Sequence, residues 1–218
     1  MDAPEFYTTF STLYDALARH GPGVGRLREA LADALAPAPG DTVVELGCGT
    51  GANHPHFRDL IGPAGRYVGV DFSPGVLDVA SDRERAAGAA FVRADATRPP
   101  IRSASVDACC SAFVSGMLAE PAAAVRTWAD LVGPGGRLAL LDLARTTRPG
   151  WRLLNPGFRL FVRLGSPPGG ANPFDGSPTA RLDERVAAAH RELGTRCSDV
   201  TTATLAGGFA RVSAGTVR

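Results

Sequence analysis

Lysine is absent from this sequence: all 23 of its basic residues are arginine. They are spread along the whole chain, which reads as genomic codon bias rather than chemistry. An excess of either charge is also missing. With 22 acids the net charge is +1, so no overall field draws the chain toward nucleic acid. Basic and aromatic residues are not interleaved as single-stranded RNA requires. The four cysteines, Cys48, Cys109, Cys110 and Cys197, form no C-x-x-C pair and no ligand-like spacing with histidine, which argues against a disulfide framework or a structural zinc. His54 and His56 stand two apart and share no helix face, so no bound metal is expected. His20 and His190 are isolated, and no Ser-His-Asp or Cys-His group can be assembled from the sequence. No apolar run approaches a membrane span, and Met1-Asp-Ala-Pro-Glu lacks the basic and apolar regions of a signal peptide. The expected address is the cytoplasm. There are no internal repeats.

What is present begins with Thr42 to Ala52, T-V-V-E-L-G-C-G-T-G-A. An apolar run with adjacent β-branched Val43 and Val44 breaks into alternating Gly47, Gly49 and Gly51, which reads as a buried strand ending in a tight turn. Glycines there permit left-handed angles and close approach to a ligand, and the next helix offers its unpaired N–H groups. Two ligand classes compete for such a turn. Gly47-x-Gly49-x-x-Ala52 satisfies the dinucleotide fingerprint, with Asp71 about 20 residues on as the ribose acid. Against it stands Glu45, a carboxylate that repels a pyrophosphate and favours a ligand with a cationic end.

V-E-L-G-C-G-T-G resembles the first motif of the class I S-adenosylmethionine-dependent methyltransferases. That resemblance implies S-adenosylmethionine as the cofactor, with Gly47, Gly49, Thr50 and Gly51 shaping its methionine and ribose site and Glu45 orienting the ammonium side. Gly69 to Pro74, G-V-D-F-S-P, resembles the second motif, which places Asp71 on the ribose with Phe72 beside it. Asp95 resembles the acid that meets the adenine amino group, with the backbone of Ala96 facing the base. The serine that contacts the methionine part aligns on Ala112, with Ser111 adjacent. G-G-F-A-R-V-S-A-G near the end resembles the G-G-x-x-A-L-H-x-G ending of ubiquinone and menaquinone C-methyltransferases.

In chain order, helical spacing runs over Phe10, Leu13, Tyr14 and Leu17 and again over Leu27, Leu31 and Leu35. Strands are expected at 42–46, 66–70, 90–93, 105–113 and 137–143, separated by helices, and two extended runs at 199–205 and 209–217 must pair antiparallel across their short turn. With a length of 218 residues and 44% hydrophobic content, one domain with a full core is implied. The expected fold is α/β, a Rossmann-like doubly wound sheet of about seven strands, mostly parallel with an antiparallel C-terminal hairpin and helices on both faces. Its divisions are a helical cap (1–40), a cofactor-binding core (41–144), an insert or lid (145–178) and a C-terminal helix and hairpin (179–218). The insert combines Trp151, Leu153, Leu154, Phe158 and Leu160 with Arg148, Arg152, Arg159 and Arg163. We read it first as a helix packed on the sheet with its arginines in water, because Pro156-Gly157 interrupts the helix. The alternative is a lid that touches a membrane through 151–164 or grips an apolar substrate. Gly165 to Pro178 is expected to be a mobile loop.

The implied activity is methyl transfer to a small or lipid-like molecule, with no nucleic-acid partner. If the acceptor is a phenol or an enol carbon, a base is needed, for which His20, His54 and Tyr14 are the candidates. A nicotinamide-dependent oxidoreductase and a non-catalytic cofactor-binding protein remain as alternatives. The first would have to work without a Tyr-x-x-x-Lys couple.

Overall fold

The computed structural model describes residues 23–84, 88–164 and 178–218. The expectations for Tyr14, His20 and the first cap helix, and for the Gly- and Pro-rich stretch 165–177, lie outside the described residues. Helix α1, Val24–Leu35, buries Leu27, Leu31 and Leu35 at helical spacing and stops at Ala36, where φ is 47° and the N–H reaches back to Ala32 O. Next come β1 (Thr42–Leu46), α2 (His54–Ile61), β2 (Arg66–Asp71), α3 (Pro74–Glu84) and β3 (Ala89–Arg93). The chain continues through β4 (Ala108–Ala112), α4 (Pro121–Val132), β5 (Arg137–Leu143), α5 (Asn155–Leu164), α6 (Pro178–Arg196), β6 (Cys197–Leu205) and β7 (Ala210–Val217).

These strands form one seven-stranded sheet in the order β3-β2-β1-β4-β5-β7-β6. The first five are parallel, and β7 lies antiparallel between β5 and β6. Strand periodicity sends alternate side chains to opposite faces. Val44, Leu46, Leu138 and Leu140 meet Trp128 of α4 and Leu193 of α6. Val43, Tyr67, Ala139 and Leu141 meet Leu31 and Leu35 of α1 and Phe57 of α2. The order reverses between β1 and β4, the switch point where ligands of such sheets bind beyond the carboxyl ends of the strands.

Two expectations need correction. Strand β4 is shorter than 105–113: the N–H groups of Ala104 and Ser105 bond to Asp130 O and Leu131 O at the end of α4, so this stretch closes a turn, and Phe113 leaves the strand with φ at 63°. The insert also differs. Pro156 does not break α5; it lies in the first turn, where its missing N–H costs nothing. A 3-10 turn at Trp151–Leu154 precedes it. Phe158 packs its ring on Phe209 at 5.2 Å, but the others are not packed away on the sheet, since Trp151 is 50% exposed, Leu153 84% and Leu160 57%.

Candidate cofactor site

The turn after β1 takes left-handed angles at all three glycines, with φ of 74° at Gly47, 53° at Gly49 and 71° at Gly51. At Gly47 an added Cβ would lie 2.4 Å from Val114 Cγ2, so both the angle and the space require glycine. The N–H groups of Gly47 and Cys48 both donate to Val70 O of β2. Gly49 N–H donates to Asp71 Oδ2 at 2.9 Å, and Asp71 Oδ1 accepts from Ser73 N–H at 3.0 Å. Asp71 therefore pins the glycine turn and shapes the entry to α3 at the same time. Burial raises its pKa despite these backbone hydrogen bonds.

A crevice opens beside the turn, lined by Glu45 and Asn53, by Gly47 to Thr50, and by Arg28, Ala112 and Phe113. Glu45 is almost fully buried. Its two oxygens accept hydrogen bonds from the Asn53 side-chain amide and the Tyr67 hydroxyl. Desolvation pushes its pKa up to about 7, and those two hydrogen bonds and the Arg28 charge offset only part of that rise. Arg28 Nη1 donates to Asn53 Oδ1 at 2.6 Å, and its guanidinium stands 5.8 Å from the Phe113 ring centroid. The Glu45 charge does not stand alone at the crevice, because a cation from α1 is tied to the same network. Arg28, Asn53 and Tyr67 were not singled out in the sequence. Nothing local marks them, since each meets its partner across the sheet or from another helix.

The other expected residues are distributed around the strand ends. Thr50 is buried in the turn and Phe72 is exposed beside Asp71. Asp95 is exposed and accepts hydrogen bonds from the N–H and the hydroxyl of Thr97, both at 2.8 Å. Ala96 is buried, and its carbonyl accepts Trp128 Nε1–H at 2.7 Å. The Ser111 hydroxyl donates to Leu46 O at 2.8 Å, tying β4 to the end of β1, and the crevice is lined by Ala112 instead. His54 packs its ring against Tyr67, with centroids 4.8 Å apart. The fold also assembles a grouping that the sequence hid. His190 Nδ1 shares a hydrogen bond with Ser213 Oγ at 2.8 Å, and its Nε2 lies 3.3 Å from Asp142 Oδ2. Ser213 stands where the G-G-x-x-A-L-H-x-G ending has its histidine.

Comparison with known proteins agrees with this geometry. Residues 44–140 match the family described as "Methyltransferase domain". A demethylmenaquinone methyltransferase of Clavibacter sepedonicus is 31% identical over 143 residues, covering 64% of this chain and 55% of that protein. The ubiquinone/menaquinone biosynthesis C-methyltransferase UbiE of Pseudomonas putida is 33% identical over 112 residues, covering 50% of this chain and 44% of its own. The chain thus spans about half the length of the curated relatives it matches. A crystal structure of a SAM-dependent methyltransferase from Aquifex aeolicus superposes over 100% of both chains with a TM-score of 0.62 at 15% identity, a likeness of fold. Through its matched core, residues 44–140, its strand order and its glycine turn, this chain is similar to the class I S-adenosylmethionine-dependent methyltransferases.

Proposed function

We propose that the protein is an enzyme that transfers a methyl group from S-adenosylmethionine to a small or lipid-like molecule by direct displacement. The observation that carries this reading is the left-handed glycine turn held by Asp71 beside a crevice lined by a buried carboxylate. When bound, the cofactor supplies a methyl group on a sulfonium whose leaving group is already activated. The chain's own residues then align the partners and exclude water, so no catalytic dyad is required at the crevice. In this reading Gly47, Gly49, Thr50 and Gly51 shape the methionine and ribose site, and Asp71 uses its remaining lone pairs on the ribose. Asp95 and the backbone of Ala96 face the adenine, with Phe72 beside it. Glu45 acts through the Asn53 amide, and Ser111 acts as a tether of the turn. The four free, buried cysteines are consistent with a cytoplasmic address.

Calorimetry with S-adenosylhomocysteine and with NADH tests the cofactor, and transfer of a labelled methyl group to a panel of phenols and quinols tests the reaction. We expect S-adenosylhomocysteine to bind and Asp71→Ala to weaken it at least about tenfold. Tight NADH uptake with no S-adenosylhomocysteine binding would overturn the proposal and restore the oxidoreductase alternative.

A second reading concerns the insert. Among the described residues no helix is long and apolar enough to cross a membrane. Trp151, Leu153, Leu154 and Leu160 are nevertheless exposed, with Arg148, Arg152 and Arg159 around them, which supports contact with an anionic lipid surface. We expect the protein to cosediment with vesicles containing phosphatidylglycerol, and the Leu153→Ser/Leu160→Ser variant to lose most of that binding with its melting temperature unchanged.

A further inference from the structure

We propose that the cavity between α6 and the outer strands β6 and β7 is a binding site for a phosphate group, separate from the cofactor crevice. It is lined by Arg191 of α6, Arg211 of β7 and Thr202 and Thr204 of β6, with His190 and Ser213 as its buried floor. Strand register explains the cluster. Thr202 is opposite Ser213 and Thr204 opposite Arg211, and positions two apart on a strand share a face. Four polar side chains thereby form one patch facing α6, where four apolar ones would have closed it.

The charges in this patch are not spent internally. Neither Arg191 nor Arg211 places its guanidinium in a hydrogen bond or ion pair with any described residue. A third cation reaches the rim, because Arg148 Nη2 donates to Thr204 Oγ1 at 2.8 Å. Most acids of α6 are engaged elsewhere: Asp183 with Arg145 and Glu192 with Arg126. Glu184 is exposed and two turns from Arg191, too far along the helix to pair with it. The one carboxylate beneath the floor, Asp142, accepts the Ser115 hydroxyl at 2.6 Å, and one of its oxygens lies 3.3 Å from His190 Nε2. Guanidinium forks and hydroxyls lining both walls suit a tetrahedral oxyanion, whose three or four acceptor oxygens exceed the two of a carboxylate.

The cofactor turn lies over β1 and β4, and the cavity lies over β7 and β6. At about 4.8 Å per strand the two are about 10–15 Å apart. The buried series Ser115, Asp142, His190 and Ser213 runs from just beyond Phe113 to the exposed Thr202 at the cavity. The ligand is therefore a phosphate-bearing molecule that sits beside the reaction site, either soluble or the headgroup of a lipid.

Titration of the full chain with inorganic phosphate and with glycerol 3-phosphate forms one arm of the test. Flotation with phosphatidylcholine vesicles, with and without phosphatidic acid, forms the other. S-adenosylhomocysteine affinity is measured in parallel as a control on the cofactor crevice. We expect saturable binding in the soluble arm, or, if the phosphate is a lipid headgroup, binding only to the vesicles that contain phosphatidic acid. In whichever arm binds, Arg191→Gln and Arg211→Gln each weaken it about tenfold and leave S-adenosylhomocysteine affinity unchanged, and the His190 ring nitrogens shift on saturation. No binding in either arm, or binding that both variants retain, overturns the proposal. Should Arg211→Gln fail to fold, Arg191→Gln and Thr204→Val carry the same comparison.

Discussion

Glu45 shares a face of β1 with Val43, so strand periodicity carries its carboxylate into the core beneath α1 and α2. Its folded pKa of about 7 lies above the ordinary 4.5. Between those values the native state binds the extra proton, so the associated stability is full below about pH 4.5 and is lost as pH rises through about 7. The full difference is about 3 kcal/mol, and Asp71 acts in the same direction. We expect urea denaturation across that range to show wild-type stability falling relative to Glu45→Gln, whose amide can still bridge Asn53 and Tyr67. At Gly47 the left-handed angle and the 2.4 Å approach to Val114 predict that Gly47→Ala costs about 1–3 kcal/mol in the same assay.

Helix α4 buries Ala124, Val125, Trp128 and Leu131 along one stripe, and Trp128 extends that packing into the site. Its indole N–H holds Ala96 O at 2.7 Å, so a core helix fixes the loop that carries Asp95. Trp128→Phe keeps most of the apolar contact and leaves a buried carbonyl unpaired, at a cost of about 1–3 kcal/mol. The expected result is a lower melting temperature together with weaker S-adenosylhomocysteine binding, and a change in stability alone would separate the helix from the site. Helix α5 makes the opposite point. An apolar stripe flanked by arginines has the same pattern on a packed helix and on an exposed one, because periodicity reports which face is apolar and not what covers it.

At the scale of the whole molecule, β7 lies between β5 and β6, and its Val212 and Ala214 complete the face formed by Ala139 and Leu141. Deleting residues 197–218 would leave β5 as an unpaired apolar edge. We expect the truncated chain to show no cooperative unfolding transition by circular dichroism and to aggregate. The alternation from Thr42 to Leu143 and the closing hairpin were legible because their signals are local: apolar runs of strand length, glycine turns, and a short connection that permits only antiparallel pairing. The ends of β4 were less so, since Ala104 and Ser105 are claimed by carbonyls of α4. The chain by itself determined the order of elements and the glycine turn, because each is encoded by neighbouring residues and the backbone angles they allow. Only the tertiary structure decided that Arg28 and Asn53, 25 residues apart, meet over Glu45, and that Asp142, His190 and Ser213 form one buried group. Those contacts depend on how helices settle across a twisted sheet, and no local pattern records that.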